Sequence, residues 1–250
     1  MSSFNRIMIA LELGDEGEST LAFADRLVKM TSPEHVDVVR VLDARPVPAV
    51  FAEAQPDPMG DSHPHGEKLL RERVAGQLSG SALEPRFHVV AGSPLIELLS
   101  LSLELSPDLI VTGRSPGAAL VEALPVSLAR KAPCSVLAVP AGSRPRIREL
   151  LVPLDFSTHS AHALHVAAEL ASRGGASRLQ CLHAFALPAG IQSSGKTEQQ
   201  IADMMRSYAV SAYARFRDDG EPIPVALDME YVQDDAPAHA VLQAATAQSC

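Results

Sequence analysis

Five short apolar runs punctuate the first 140 positions: IMIAL (7–11), VDVVRVL (36–42), FHVVAG (87–92), DLIVTG (108–113) and SVLAVP (135–140). Between them the apolar residues return every three or four positions, as in Leu21, Ala24 and Leu27 or Leu95, Leu98 and Leu99. The first pattern predicts strands buried on both faces, and the second predicts helices that cover them. Strand and helix in alternation imply parallel pairing through right-handed crossovers. Two connections are long and begin rich in Pro, Gly and Ser: 46–66 and 187–199. Each leads into a predicted amphipathic helix, GEKLLRERVAGQL (66–78) and IADMMRSYAVSAYARF (201–216).

The pattern repeats. A shift of 143 residues lays RIMIALELGDEGESTLAFADRLV, from Arg6, on ELLVPLDFSTHSAHALHVAAELA, from Glu149. Leu11 falls on Leu154, Glu12 on Asp155, Leu21 on Leu164, Ala24 on Ala167 and Leu27 on Leu170. The same shift carries VDVVRVLDA onto LQCLHAFAL, Val89 onto Val232 and Pro94 onto Pro237. A register held from strand to strand marks one domain duplicated. The two copies are expected at 1–141 and 146–250, joined by the linker AGSRPRIR. By the same shift Ser249 and Cys250 fall on Ser106 and Pro107. Copy two is therefore expected to lack its last two strands with the loop and helix between them, whether as a fragment or as a truncated chain. Such a sheet has an open edge that invites another chain.

Composition narrows the function. At 250 residues and 46% hydrophobic content the chain can bury a substantial core. A net charge of −9 argues against a sequence-independent nucleic-acid binder, although a local basic patch stays open. No apolar stretch approaches 18 residues and the start carries no secretory pattern, so a cytoplasmic protein with no membrane partner is expected. Cys134, Cys181 and Cys250 are odd in number and far apart, and are expected to be reduced.

VPLDFSTHSAHAL (152–164), GSPLIELL (92–99), PDLIVTGRSPG (107–117) and APCSVLAVP (132–140) together resemble, in sequence and in order, the tandem universal stress proteins. The resemblance spans nearly the whole chain. It implies two tandem α/β domains, doubly wound on parallel sheets of the adenine-nucleotide alpha-hydrolase-like kind, the second lacking its last two strands. It implies five strands in a complete copy, a homodimer formed through the last strand and, in some members, bound ATP with Mg.

Candidate site residues follow from where such sheets hold ligands, at the carboxyl ends of strands and on glycine-rich turns. Asp155 ends the first strand of copy two, where the resemblance places a base-contacting Asp. Asp and Ser are also leading helix caps, so capping by Asp155 and Ser157 is the competing role. Copy one has the longer Glu12 at that position. ATP-binding members resemble G-x2-G-x9-G-(S/T). Here Gly113 and Ser127 keep the first glycine and the hydroxyl, while Pro116 and Val126 replace the other two glycines. Proline brings no N–H, so the cradle loses a donor. A shifted loop of Gly113, Arg114 and Gly117 is the remaining anion-binding arrangement. Pro125 is expected to interrupt the following helix.

Other groupings read as structural. His159, His162 and His165 fan across a predicted helix and form a polar face with one partly buried ring, with metal chelation as the alternative. Asp61, His63 and His65 fall in a Pro/Gly-rich loop that reads as a solvated turn. Met204, Met205, Tyr208, Ala212, Tyr213 and Phe216 form a stripe expected to pack in the core. No Gly-x-Ser-x-Gly elbow or Cys/His nucleophile context occurs, so no enzyme beyond slow ATP hydrolysis is expected. The favoured reading is a stress-response module that works by self-association or partner binding, with ATP binding degenerate or absent. The alternative is an adenine-nucleotide switch using Asp155 with a phosphate loop at Gly113 or beyond residue 250.

Overall fold

The computed structural model describes residues 4–12, 15–43, 62–78, 83–114, 123–176, 178–188, 195–218, 220, 222–223 and 225–247. The chain divides into two compact units, Met1–Arg146 and Ile147–Cys250. Unit 1 runs β1 (Arg6–Ala10), α1 (Asp15–Thr31), β2 (His35–Asp43), α2 (Ser62–Ala75), β3 (Arg86–Gly92), α3 (Pro94–Leu105), β4 (Leu109–Arg114), α4 (Leu124–Lys131) and β5 (Ser135–Pro140). Its five strands lie in the order β3-β2-β1-β4-β5, and every pair is parallel. The order reverses between β1 and β4, so their carboxyl ends open on a topological switch point.

Burial explains the unbroken apolar runs. Ile7, Met8 and Ile9 of β1 are all completely buried, so consecutive side chains find cover on opposite faces of the sheet. Leu21, Ala24, Leu27 and Val28 give α1 the buried stripe that its spacing predicts. On another face Met8, Val39 and Ile110 pack with Leu98 and Leu101 of α3 and Leu128 of α4. At the amino end of the sheet the Asp108 carboxylate accepts the backbone N–H groups of Asn5 (2.9 Å) and Arg6 (2.8 Å), pinning β1 to β4.

Two helices begin differently from the sequence expectation. Pro125 does not interrupt α4. It lies in the first turn, where a missing N–H costs nothing. The helix that contains GEKLLRERVA starts at Ser62, so His63 and His65 belong to its first turn and not to a loop, while Asp61 lies outside the described residues.

Unit 2 runs β6 (Glu149–Pro153), α5 (Thr158–Gly174), β7 (Arg178–Phe185), α6 (Glu198–Asp218), β8 (Asp228–Gln233) and α7 (Pro237–Ala247). Its described strands form a parallel sheet in the order β6-β7-β8. The core gathers Val152, Leu154, Leu164, Ala168, Leu179 and Cys181, with Tyr213 and Phe216 of α6 packed against it. Met205 and Ala212 are half-buried, whereas Met204 and Tyr208 stand 40% and 63% exposed. The inward face of α6 is centred on Ile201 and Ala209, which corrects the stripe read from sequence.

The repeat is faithful in β6 and β7. Glu149 sits beside Arg178 just as Arg6 sits beside His35. At β8 it slips by one residue: Val232 lies beside Ala184, the counterpart of Val41, but Val41 lies beside Val90. Val89 and Val232 therefore face opposite sides of their sheets. Register returns at Pro94 and Pro237, each the first residue of its helix. The extra residue is taken up in a turn in which the Asp234 carboxylate binds the Ala236 N–H (2.8 Å) and His239 Nδ1 (2.8 Å).

Candidate functional site

In unit 1 the described residues at the carboxyl ends of β1, β2 and β4 line an open pocket of about 50 Å³. Glu12 and Gly113, far apart in sequence, both line it. Most of the wall is apolar, from Leu11, Val39, Val41, Pro94, Leu98 and Leu124. The buried hydroxyl residues Thr20 and Thr112 complete it. A water needs roughly 10–15 Å³, so the space between the described residues has room for a few waters. Arg114 is exposed at the end of β4 and Ser127 lies in α4; neither lines the cavity. Gly117 lies outside the described residues.

Gly17 is a site residue that pattern reading missed. A Cβ there would stand 1.9 Å from the Glu12 carbonyl oxygen. Helix α1 thus starts hard against the end of β1, and only glycine allows that approach. The signal in the sequence was the third residue of α1 itself, where an interior glycine in a helix needs a packing reason.

In unit 2 the corresponding turn is organised by its own side chains. Asp155 Oδ1 accepts the Ser157 hydroxyl (2.6 Å) and the Ser157 N–H (3.0 Å). Ser157 is the N-cap of α5 and its Oγ accepts the Ser160 N–H at 3.2 Å. The cap is therefore Ser157 alone, while Asp155 closes the turn before it. Phe156, between them, takes a positive φ of 63°, and its ring stacks on His183 with centroids 4.4 Å apart. His183 in turn donates from Nδ1 to the Leu154 carbonyl (2.7 Å). A shallow groove of about 450 Å³ runs beside this turn, over Phe156, Ala161, Ala212 and Phe216, and Asp155 is not among the residues that line it.

The bonds from Ser157 hold the Asp155 carboxyl at about 2, below the usual carboxylate range. A depressed folded-state value means a stabilisation present above about pH 4 and lost as pH falls toward 2. The stability difference between the parent chain and Asp155→Ala, from denaturant midpoints, is expected to be flat from pH 7 to pH 5 and to shrink below pH 4. A difference unchanged down to pH 3 contradicts these bonds.

His159 and His162 are exposed and His165 is half-buried, its Nδ1 bonded to the Ala161 carbonyl (2.9 Å). No cluster of metal-ligating side chains occurs among the described residues. Cys134 and Cys181 are free thiols, and burial pushes both up to about 11, so both are held as thiols near neutral pH. No described helix is long and apolar enough to cross a membrane.

The model of the Universal stress protein family matches residues 3–140. The chain belongs to the universal stress protein family. Among solved structures, a universal stress protein from Archaeoglobus fulgidus is similar over 98% of this chain and 82% of its own, with 14% identity and a TM-score of 0.65. A functionally unknown protein from Pseudomonas aeruginosa PAO1 is similar over 98% of this chain and 78% of its own, with 17% identity and a TM-score of 0.60. The universal stress protein UspA from Lactobacillus plantarum covers 54% of this chain with 97% of its own, at 16% identity and a TM-score of 0.44. No curated protein matches the sequence. At these identities the likeness to these solved structures is one of fold.

Proposed function

We propose that this universal stress protein works by association, with itself or with partner proteins, and that neither unit holds a nucleotide. The observation that carries the reading is the cavity of about 50 Å³ at the switch point of unit 1. The walls that the described residues offer there are largely apolar, with Leu11, Val41, Leu98 and Leu124, which supports a reading without a bound nucleotide. In unit 2 the turn that carries Asp155 is already satisfied by Ser157, which supports a structural role for that carboxylate.

The second reading, an adenine-nucleotide switch, draws on the meeting of Glu12, Thr20, Thr112 and Gly113 around one cavity. Its phosphate loop would have to form with Pro116 where a backbone donor is needed.

Association is expected in a cytoplasmic setting and through the sheet edge at β5. Light scattering on the 250-residue chain is expected to give the mass of a dimer at micromolar concentration. A monomer at every concentration contradicts the reading.

A further inference from the structure

Helix α3, PLIELLSLSLEL, is apolar on nearly every side. Its inward face, with Leu98, Leu101 and Ser102, is buried in unit 1, but Ile96 and Leu103 on the opposite face stand 65% and 73% exposed. At about 100° per residue, Ile96, Ser100 and Leu103 fall within roughly 60° of the helix surface and form one outward ridge. A helix apolar all round is normally covered all round. The charged residues of α3 are Glu97 and Glu104, and its last turn carries no basic residue. The negative end of the helix dipole therefore lies beside Glu104 with no cation on the helix to offset it.

Helix α6, which packs on β7 and β8, carries a ridge of matching shape. Met204, Tyr208, Ser211 and Arg215 recur at i, i+4, i+7 and i+11, again within roughly 60° of the surface. All four are exposed, to one side of the inward face centred on Ile201 and Ala209. The Glu104 and Arg215 side chains have no ion-pair partner among the described residues. One ridge is thus apolar with an unpaired anion at its end, and the other is apolar with an unpaired cation at its end.

Resting on the association reading, we propose that α3 of one copy of this chain packs parallel against α6 of a second copy, ridge on ridge, with Ser100 against Ser211. Two serines at the closest point let the helix axes approach to about 8 Å. At about 1.5 Å of rise per residue, Ile96 then lies between Met204 and Tyr208, and Leu103 lies between Ser211 and Arg215. Glu104 is level with Arg215, whose methylenes cover Leu103 and whose guanidinium sits at the negative end of α3. The reverse direction would bring Arg215 to the positive end of α3 and leave Glu104 unpaired, so charge selects the parallel arrangement. The contact joins two different surfaces, is therefore heterologous, and adds to a pairing at the β5 edge without replacing it.

The test mixes two 250-residue chains, both with Cys250→Ser, one carrying Ser100→Cys and the other Ser211→Cys, at equal concentration in a glutathione redox buffer. The half-buried Cys134 and the buried Cys181 are the background thiols. Facing Cα atoms on helices about 8 Å apart lie about 4–6 Å from each other, within disulfide reach. Random pairing makes half of the covalent dimers mixed, whereas the proposed contact is expected to make nearly all of them mixed, as read by intact mass. Leu103→Glu in the Ser100→Cys chain is expected to return the mixture to random pairing, and so is Glu104→Arg. Arg215→Glu in the partner chain is expected to restore most of the preference lost with Glu104→Arg. Random pairing from the two serine variants alone, in a parent chain that is dimeric by light scattering, overturns this contact and leaves association standing. A parent chain that is monomeric at every concentration overturns both.

Discussion

Arg86→Met is expected to lower the stability of unit 1 by about 2 kcal/mol, because it leaves the buried Asp37 carboxylate with His88 but without its charged partner. Asp37 interrupts the apolar run of β2, and its side chain is only 4% exposed. Arg86, its neighbour across the ladder, donates from Nη2 to Asp37 Oδ2 (2.7 Å), and His88 Nε2 donates to Oδ1 (2.8 Å). Arg86 is itself half-exposed, so it can regain water if Asp37 is lost, whereas Asp37 cannot if Arg86 is lost. The two single variants should therefore differ. Asp37→Leu is expected to cost less than Arg86→Met, and the double variant to recover most of the loss, since apolar replacement of a buried pair is often tolerated. Urea midpoints for the three variants check this. Equal costs that simply add would contradict the coupling.

Gly17→Ala is the second large effect, a loss of about 2 kcal/mol against the ordinary preference of helices for alanine. Alanine in an open helix position gains about 1 kcal/mol over glycine. At Gly17 the added carbon meets the Glu12 carbonyl at 1.9 Å, and that oxygen belongs to backbone, which cannot swing aside. The first turn of α1 must move away from β1, and the cavity that Gly17 lines must change with it. Gly76→Ala, where nothing lies within 4 Å, is the control and is expected to stay within about 0.5 kcal/mol of the parent. If both variants melt alike, close approach of α1 to β1 is not what holds glycine there.

Much of the fold was legible because burial on both faces leaves a plain trace. The runs that include Ile7, Met8 and Ile9 or Leu109, Ile110 and Val111 can only be central strands of a covered sheet. The repeat was equally plain, since it placed β6 on β1 and β7 on β2 in the same register. Pattern reading failed where one residue decides the geometry. The slip at β8 hides in an identical valine at Val89 and Val232, and only the Asp234 turn reveals it. Asp37 was visible as a charge within an apolar run, yet its partners Arg86 and His88 lie on a strand some fifty positions later. At the candidate site, residue types fixed Asp155 and Ser157 as turn or cap but could not divide the roles. Geometry gives the cap to Ser157 and the turn to Asp155. The room at the switch point depends on how Leu98 and Leu124 close over β1 and β4, which no local motif encodes.

Leu11, Val41, Leu98 and Leu124 line the pocket at the switch point of unit 1, and in unit 2 Asp155 Oδ1 accepts from Ser157; the reading proposed here is that neither place holds a nucleotide. The most direct measurement is a thermal-shift titration of the 250-residue chain with ATP and Mg²⁺, alongside Asp155→Ala. A ligand that binds only the native state must raise the melting temperature as its concentration passes the dissociation constant. The expected result is no saturable shift in either protein up to millimolar ATP. A saturable rise of several degrees in the parent chain, lost in Asp155→Ala, would contradict the account.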